Sequence, residues 1–320
     1  MTDIARPDAP EIALTIRIPS PGQELLEARF VCHRLYEAAD RVRLLQQIGP
    51  RVRAIATFAS GGVDAALLAA LPRTEIICHY GDGMEKIDLD AARARGVVVT
   101  NCGTGVVEDD VADTALALML NTMRRFPQAE AFVRSGRWTG PDQFAPATSL
   151  GGKTVGILGL GRIGEGVARR AAAFGMPVRY HNRRRKDVPY AYDEDVRSLA
   201  RHSDVLVVAA PGSAQTERMV DAEVLDALGP AGYVINVGRG TIIDEPVLLD
   251  FLEQRRIAGA GLDVFATEPR LNPRFLALDN VVLYPHAGTY TRETRDRMAR
   301  IQYDNLCRHF AGEAVTNRVV

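Results

Sequence analysis

The sequence predicts an α/β fold built as two doubly wound parallel-sheet lobes, and three observations carry that prediction. Short apolar runs of strand length alternate with longer amphipathic stretches, the pattern of parallel strands joined by helices. At 320 residues the chain exceeds the usual single-domain size, and a prior of about 150 residues per domain points to two lobes. The alternation also falls into two blocks, divided by a stretch rich in Pro, Gly and polar residues around Trp138.

In the first block, residues 12–16, 30–33, 54–58, 76–79 and 97–100 are apolar runs that read as strands. Between them, 22–28, 37–48, 63–71 and 89–95 read as helices. Residues 110–125 form the longest helical pattern, apolar on most faces, which predicts a buried helix where the lobes join. From there to Leu150 the composition predicts a surface loop or linker. The second block has strands at 155–158, 178–181, 205–209, 233–237, 260–265 and 281–284, with helices at 164–174, 198–202, 221–227 and 245–254. A long helix over 292–310 follows the final sheet strand, so it is free to pack elsewhere.

Composition excludes several function classes. Lys and Arg total 39 against 40 Asp and Glu, a net charge of -1, so no overall field favours nucleic acid or an anionic membrane. Cys32, Cys78, Cys102 and Cys307 are scattered and form no C-x-x-C pair, which argues against a disulfide framework or a structural zinc site and for reduced, cytoplasmic thiols. No metal site is expected. Residues 1–11 lack a basic stretch leading into an apolar one, and no apolar run approaches the roughly 18 residues of a membrane span. The partner this leaves is a small molecule.

The chemistry starts at Gly159-Leu160-Gly161-Arg162-Ile163-Gly164, a G-x-G-x-x-G turn that follows one strand and opens a helix. Glycines let the backbone approach a pyrophosphate, and the helix N-terminus adds donors. At the end of the next strand, where an acidic residue would hold the ribose of NAD, the chain has Asn182, then Arg183, Arg184, Arg185 and Lys186. Loss of the carboxylate and gain of forked donors favour a 2'-phosphate, hence NADP(H), with NAD(H) possible. An ordinary solvated basic loop is the competing reading.

Three reactive residues each follow a strand-like run: Arg239, Glu268 and His286. Loops leaving the carboxyl ends of parallel strands share one edge, so these side chains and the glycine turn can meet there. A guanidinium holds the carboxylate of a 2-oxo acid and reaches its ketone oxygen. Histidine supplies a proton near neutral pH, and a neighbouring carboxylate orients its ring and favours the charged form. Singly, each would be a structural or surface residue. The other histidines, His33, His79, His181, His202 and His309, keep that structural reading.

On these residues the chain resembles the D-isomer-specific 2-hydroxyacid dehydrogenase family, especially its hydroxypyruvate and glyoxylate reductase members. The resemblance runs from about Ala54 to Phe310. It rests on LPRTEIICHYGDGMEKIDLDAARARGVVVTN, DDVADTALALML, GILGLGRIG, VINVGRGTIIDE, and GAGLDVFATEP followed by NVVLYPHAG. It implies a Rossmann cofactor domain (105–287) inserted in a flavodoxin-like substrate domain (1–104 and 288–320), with the last helix crossing back to the first lobe. It assigns Arg239 to substrate binding, His286 to acid/base work and Glu268 to pairing with His286. Cofactor contacts fall on the glycine turn, Asn182, Arg183, Arg184, Pro211, Val237, Gly238, Asp263 and Gly288. The amides of Gly81, Asp82 and Gly83 would hold the substrate carboxylate beside Arg239 and His286. A homodimer is implied, with the stretch through Trp138 as its contacting arm.

The chain departs from the family pattern at three places: Asp82 replaces a small apolar residue, Met84 and Glu85 replace a tyrosine and an aspartate, and residues 101–105 run one residue long. Either the Asp82 side chain points away and only its amide matters, or the pocket prefers a hydroxylated or cationic tail. The expected activity is NADPH-preferring reduction of hydroxypyruvate or glyoxylate to D-2-hydroxy acids. Aromatic 2-oxo acids and 2-ketogluconate are the alternative substrates, and a dinucleotide-sensing corepressor is the alternative outside enzymes.

Overall fold

The computed structural model describes residues 9–320; the N-terminal reading made above for residues 1–8 lies outside them. The chain divides into two compact units, Met1–Val107 with Thr289–Val320, and Glu108–Gly288.

The first unit is a five-stranded sheet of β1 (Glu11–Leu14), β2 (Val31–Arg34), β3 (Val52–Thr57), β4 (Ile76–His79) and β5 (Val98–Thr100). Its order is β2-β1-β3-β4-β5 with every pair parallel, the flavodoxin-like arrangement. The helices between strands are α1 (Gly22–Arg29), α2 (Arg41–Ile48), α3 (Ala65–Ala70) and α4 (Leu89–Ala94). Because side chains alternate along a strand, each strand feeds two cores. Ile12, Leu14, Ala54, Ala56, Ile76 and Cys78 pack on one face, and Ala13, Val52, Ile55, Ile77 and Val99 on the other.

The closing helix, Arg292–Phe310, completes the first of these cores through Met298, Ala299 and Leu306. Gln302 Nε2 donates to the carbonyls of Thr57 and Cys78 at 3.2 and 2.8 Å, and Tyr80 donates its hydroxyl to the Arg295 carbonyl at 2.8 Å. The sequence pattern left this helix free to leave its neighbours, and these buried bonds show where it goes.

The second unit begins with α5 (Glu108–Arg124) and α6 (Phe126–Arg134). It continues through β6 (Val155–Leu158), α7 (Arg162–Ala173), β7 (Val178–His181), β8 (Ala191–Tyr192), α8 (Val196–Arg201), β9 (Val205–Val208), α9 (Ala222–Leu228), β10 (Tyr233–Asn236), α10 (Glu245–Glu253), β11 (Gly259–Leu262) and β12 (Val281–Leu283). The sheet order is β12-β11-β10-β9-β6-β7-β8, all parallel, so the strand order reverses at the neighbours β6 and β9 as in a Rossmann fold. Val155, Ile157, Val205, Val207 and Ile235 face one core, whereas Leu206, Val208, Val234, Ala260 and Leu262 face the other.

Several expectations need correcting. Residues 126–134 are not loop: Arg125 in left-handed backbone (φ 57°) ends α5, and Pro127 then starts α6, a position where its missing N–H costs nothing. The helix expected from 37 starts at Arg41, where the Asp40 carboxylate accepts from the Arg43 amide at 2.9 Å. The two-residue β8 was too short to show a period. The helix read over 110–125 spans 108–124 and packs against α7 and the strands β10 and β11 of the second unit. Close approach to α7 needs Gly166, whose Cβ would lie 2.9 Å from that of Ala112. The C-terminal residues also pair with the β5 edge, Val319 N donating to Val99 O at 2.7 Å, a contact with no sequence signal.

Candidate active site

The glycine turn follows β6 and opens α7, and each glycine is needed for a different reason. Gly159 stands at φ +96°, and a Cβ there would meet the backbone of Ala210 at 2.6 Å. A Cβ on Gly164 would collide with the Gly159 carbonyl, so this glycine sets the contact between helix and strand. By contrast, a Cβ on Gly161 would meet nothing within 4 Å. Gly161 is the N-cap of α7 and makes no side-chain cap, so no cap side chain covers the first amides of this twelve-residue helix. That cradle fits a pyrophosphate. Arg162 turns its guanidinium to Glu108 at 2.8 Å, and Ile163 packs against the core beside α7.

Asn182 lies beside this turn, but its side chain is committed to it: Oδ1 accepts from the Leu160 amide at 2.7 Å. It seats the glycine turn, a role that the spacing alone did not indicate. Arg183 and Arg184 are exposed, Arg183 donating to Gln215 Oε1 at 3.2 Å. Arg185 lies over the Tyr192 ring at 6.0 Å. All three arginines, Arg183, Arg184 and Arg185, are exposed at this end.

Arg239, Glu268 and His286 come from the loops after β10, β11 and β12, neighbours in the sheet, so parallel pairing brings them to one edge. His286 Nδ1 and Glu268 Oε2 are 2.6 Å apart. The hydrogen bond that His286 donates to Glu268 raises the imidazole above its ordinary value against the opposing effect of burial. Burial alone would raise Glu268, but the bond with His286, the Phe265 amide at 2.9 Å and the charges of His286 and Arg239 hold it below the ordinary carboxylate range. Arg239 is half-buried, and its charge lowers both partners, which places it within electrostatic reach of the pair.

The turn that carries Arg239 is tightly built. Asn236, 1% exposed, donates from Nδ2 to the Arg239 carbonyl at 3.1 Å and accepts from the Gly238 amide at 3.1 Å. Val237 is buried beneath it, and a Cβ on Gly238 would lie 2.6 Å from the Ala210 carbonyl. Gly240 packs directly on the backbone of Phe265 and Ala266, leaving no room for a Cβ, and so joins the arginine turn to the loop of Glu268. Glu245 accepts from the Ala266 amide at 2.9 Å and fixes the same loop from the other side. After β9, Gly212 gives space to Arg239, whose Cγ would lie 2.9 Å from a Cβ there, and the carbonyl of Pro211 accepts from Thr216 Oγ1 at 2.9 Å.

Asp263 is 2% exposed, and its two carboxylate oxygens accept from the amides of Ala287 and Gly288. Burial pushes it above the usual aspartate range despite those bonds. In this geometry the carboxylate positions the His286 loop. Asn236 and Glu245 were missed in the sequence, and only Asn236 left a signal, a polar residue closing an otherwise apolar run.

In the first unit, the loop Gly81-Asp82-Gly83 follows β4. His79 Nδ1 contacts the Gly81 backbone at 3.0 Å, and the Gly81 carbonyl accepts from the Cys102 amide at 3.0 Å. Asp82 is exposed, and its side chain and carbonyl both accept from Asn101 Nδ2, at 3.1 and 3.2 Å. The remaining histidines have structural partners: Glu11 for His33, Asp193 for His181 and His202, and Glu75 for His309. Among the described residues, no helix is long and apolar enough to cross a membrane.

The chain is similar to known proteins. The model of the family described as "D-isomer specific 2-hydroxyacid dehydrogenase, NAD binding domain" matches residues 116–288. A glyoxylate/hydroxypyruvate reductase of Arabidopsis thaliana is 43% identical over 92% of this chain and 94% of its own. A hydroxyphenylpyruvate reductase of Plectranthus scutellarioides is 42% identical over 93% and 95%. The crystal structure of an NADPH-dependent glyoxylate/hydroxypyruvate reductase from Sinorhizobium meliloti, in complex with NADP and malonate, superposes with a TM-score of 0.90. It is 40% identical and covers 98% of this chain and 97% of that one.

Proposed function

Because the chain belongs to the D-isomer specific 2-hydroxyacid dehydrogenase family, we propose that it is an NADPH-preferring reductase of small 2-oxo acids, hydroxypyruvate and glyoxylate, yielding D-2-hydroxy acids. The observation that carries this reading is the His286–Glu268 pair, 2.6 Å apart and within the field of Arg239, on the sheet edge that also holds the glycine turn. When bound, the dinucleotide supplies the hydride. Arg239 holds the substrate carboxylate and the ketone oxygen, fixing the carbonyl and stabilising the charge that develops on it. Since Glu268 occupies Nδ1, the nitrogen left to donate a proton to that oxygen is Nε2 of His286.

The unit Glu108–Gly288 is the dinucleotide-binding domain in this reading, and the other unit binds substrate through the amides of Gly81, Asp82 and Gly83. The Asn101 contact occupies the Asp82 side chain, which supports a role for its amide alone. Arg183 and Arg184 receive the 2'-phosphate, and the backbone at Pro211, Val237, Gly238 and Gly288 lines the cofactor. The protein works as a cytoplasmic homodimer. Its arm exposes Phe126, Val133 and Trp138 at 47, 52 and 66%, apolar surface that a second copy would cover.

The test is a steady-state assay with NADPH and NADH against hydroxypyruvate, glyoxylate, phenylpyruvate and 2-ketogluconate. The expected result is the highest kcat/KM for NADPH with hydroxypyruvate or glyoxylate. A higher value with NADH across the panel, or with either larger acid, overturns the corresponding part of the reading.

A further inference from the structure

We infer that Lys186 sets cofactor preference by neutralising Glu165 rather than by gripping phosphate itself, a deepening that rests on the NADPH reading above. Lys186 ends the basic run after β7, and its ammonium reaches back to the glycine turn and the helix that follows it. It donates to the Leu160 carbonyl at 3.1 Å and forms an ion pair with Glu165. Its backbone is held in that direction: the Lys186 amide donates to the Tyr180 hydroxyl at 2.8 Å, and that hydroxyl donates to the Lys186 carbonyl at 3.0 Å, on a tyrosine that is fully buried.

Glu165 is the acidic residue in the first turn of α7. A carboxylate there suits the helix dipole but repels an anion approaching the same turn. A 2'-phosphate adds about two negative charges to the cofactor, so it feels an uncompensated Glu165 more strongly than NADH does. With Lys186 in place, the carboxylate is cancelled and the field of Arg183 and Arg184 stands. The lysine is thus a positioning and charge-cancelling residue whose partner is on the protein.

The experiment titrates NADPH and NADH into the full-length protein, without substrate, following nicotinamide fluorescence and heat release. Wild type, Lys186→Met, Glu165→Gln and the double variant are compared. Lys186→Met is expected to weaken NADPH about ten-fold and NADH less than about three-fold. Glu165→Gln in that background is expected to restore NADPH binding to within about three-fold of wild type, a non-additivity that a direct ligand would not show. A double variant as weak as Lys186→Met overturns the inference and makes Lys186 a phosphate ligand. Equal losses for both cofactors without rescue overturn it in favour of loop packing. Wild-type protein that binds NADH more tightly overturns the NADPH reading separately, and the rescue within each cofactor still decides the role of Lys186.

Discussion

Asp263 grips the loop of His286 at three points: its carboxylate accepts from the amides of Ala287 and Gly288 at 2.8 and 3.1 Å, and its carbonyl accepts from the His286 amide at 2.8 Å. His286 stands in left-handed backbone at φ +50°, a conformation that costs a residue other than glycine about 1–2 kcal/mol. The buried aspartate is what maintains it. Asp263→Ala would leave two buried amides without acceptors, so the expected loss of stability is about 2–4 kcal/mol, read from chemical denaturation. An unchanged midpoint would mean the loop is held by other contacts.

The hydrogen bond to Glu268 is the largest influence on His286 and raises it above the ordinary imidazole value. Reduction needs the charged ring, so kcat/KM for the 2-oxo acid should fall at a pH above that at which an ordinary imidazole loses its proton. Oxidation needs the neutral ring and should climb over that same interval. Glu268→Gln removes the raising influence, and the descending limb should move to lower pH. A limb that stays in place would assign the titration to another group.

Two glycines separate packing from binding. A Cβ on Gly240 has no room against Phe265 and should destabilise the protein by about 1–3 kcal/mol, carrying Arg239 away from the Glu268 loop. A Cβ on Gly161 meets only open space, so Gly161→Ala should cost less than about 1 kcal/mol of stability while weakening NADPH by about ten-fold or more. Thermal unfolding and cofactor titration on both variants check this. Retained NADPH affinity in Gly161→Ala would move the pyrophosphate elsewhere.

Arg183 and Arg184 are exposed after β7. Replacing both with Gln should weaken NADPH much more than NADH in a direct binding titration, because only the former carries the 2'-phosphate. Equal losses would return the basic run to an ordinary solvated loop.

Much of this arrangement was legible in the sequence where a local pattern carried it. The strands at 76–79, 155–158 and 178–181 and the helix over 292–310 have the bounds read from periodicity. Arg239, Glu268 and His286 stood out because each is a charged or titratable residue just past a buried run. What stayed hidden depends on contacts between distant segments: the grip of Asp263 on residues 286–288, the bond from the Leu160 amide to Asn182, and the seat that Phe265 provides for Gly240. The helix at 126–134, read from composition as loop, was missed for a different reason. Proline breaks a helix interior but is welcome in a first turn, and composition does not distinguish the two.

The most direct measurement is single-turnover oxidation of bound NADPH by hydroxypyruvate in His286→Ala, with NADPH affinity determined on the same protein. A proton donor held by Glu268 predicts a rate lower by about 100- to 10,000-fold with NADPH affinity nearly unchanged. A near-normal rate would remove His286 from the reaction and contradict the account.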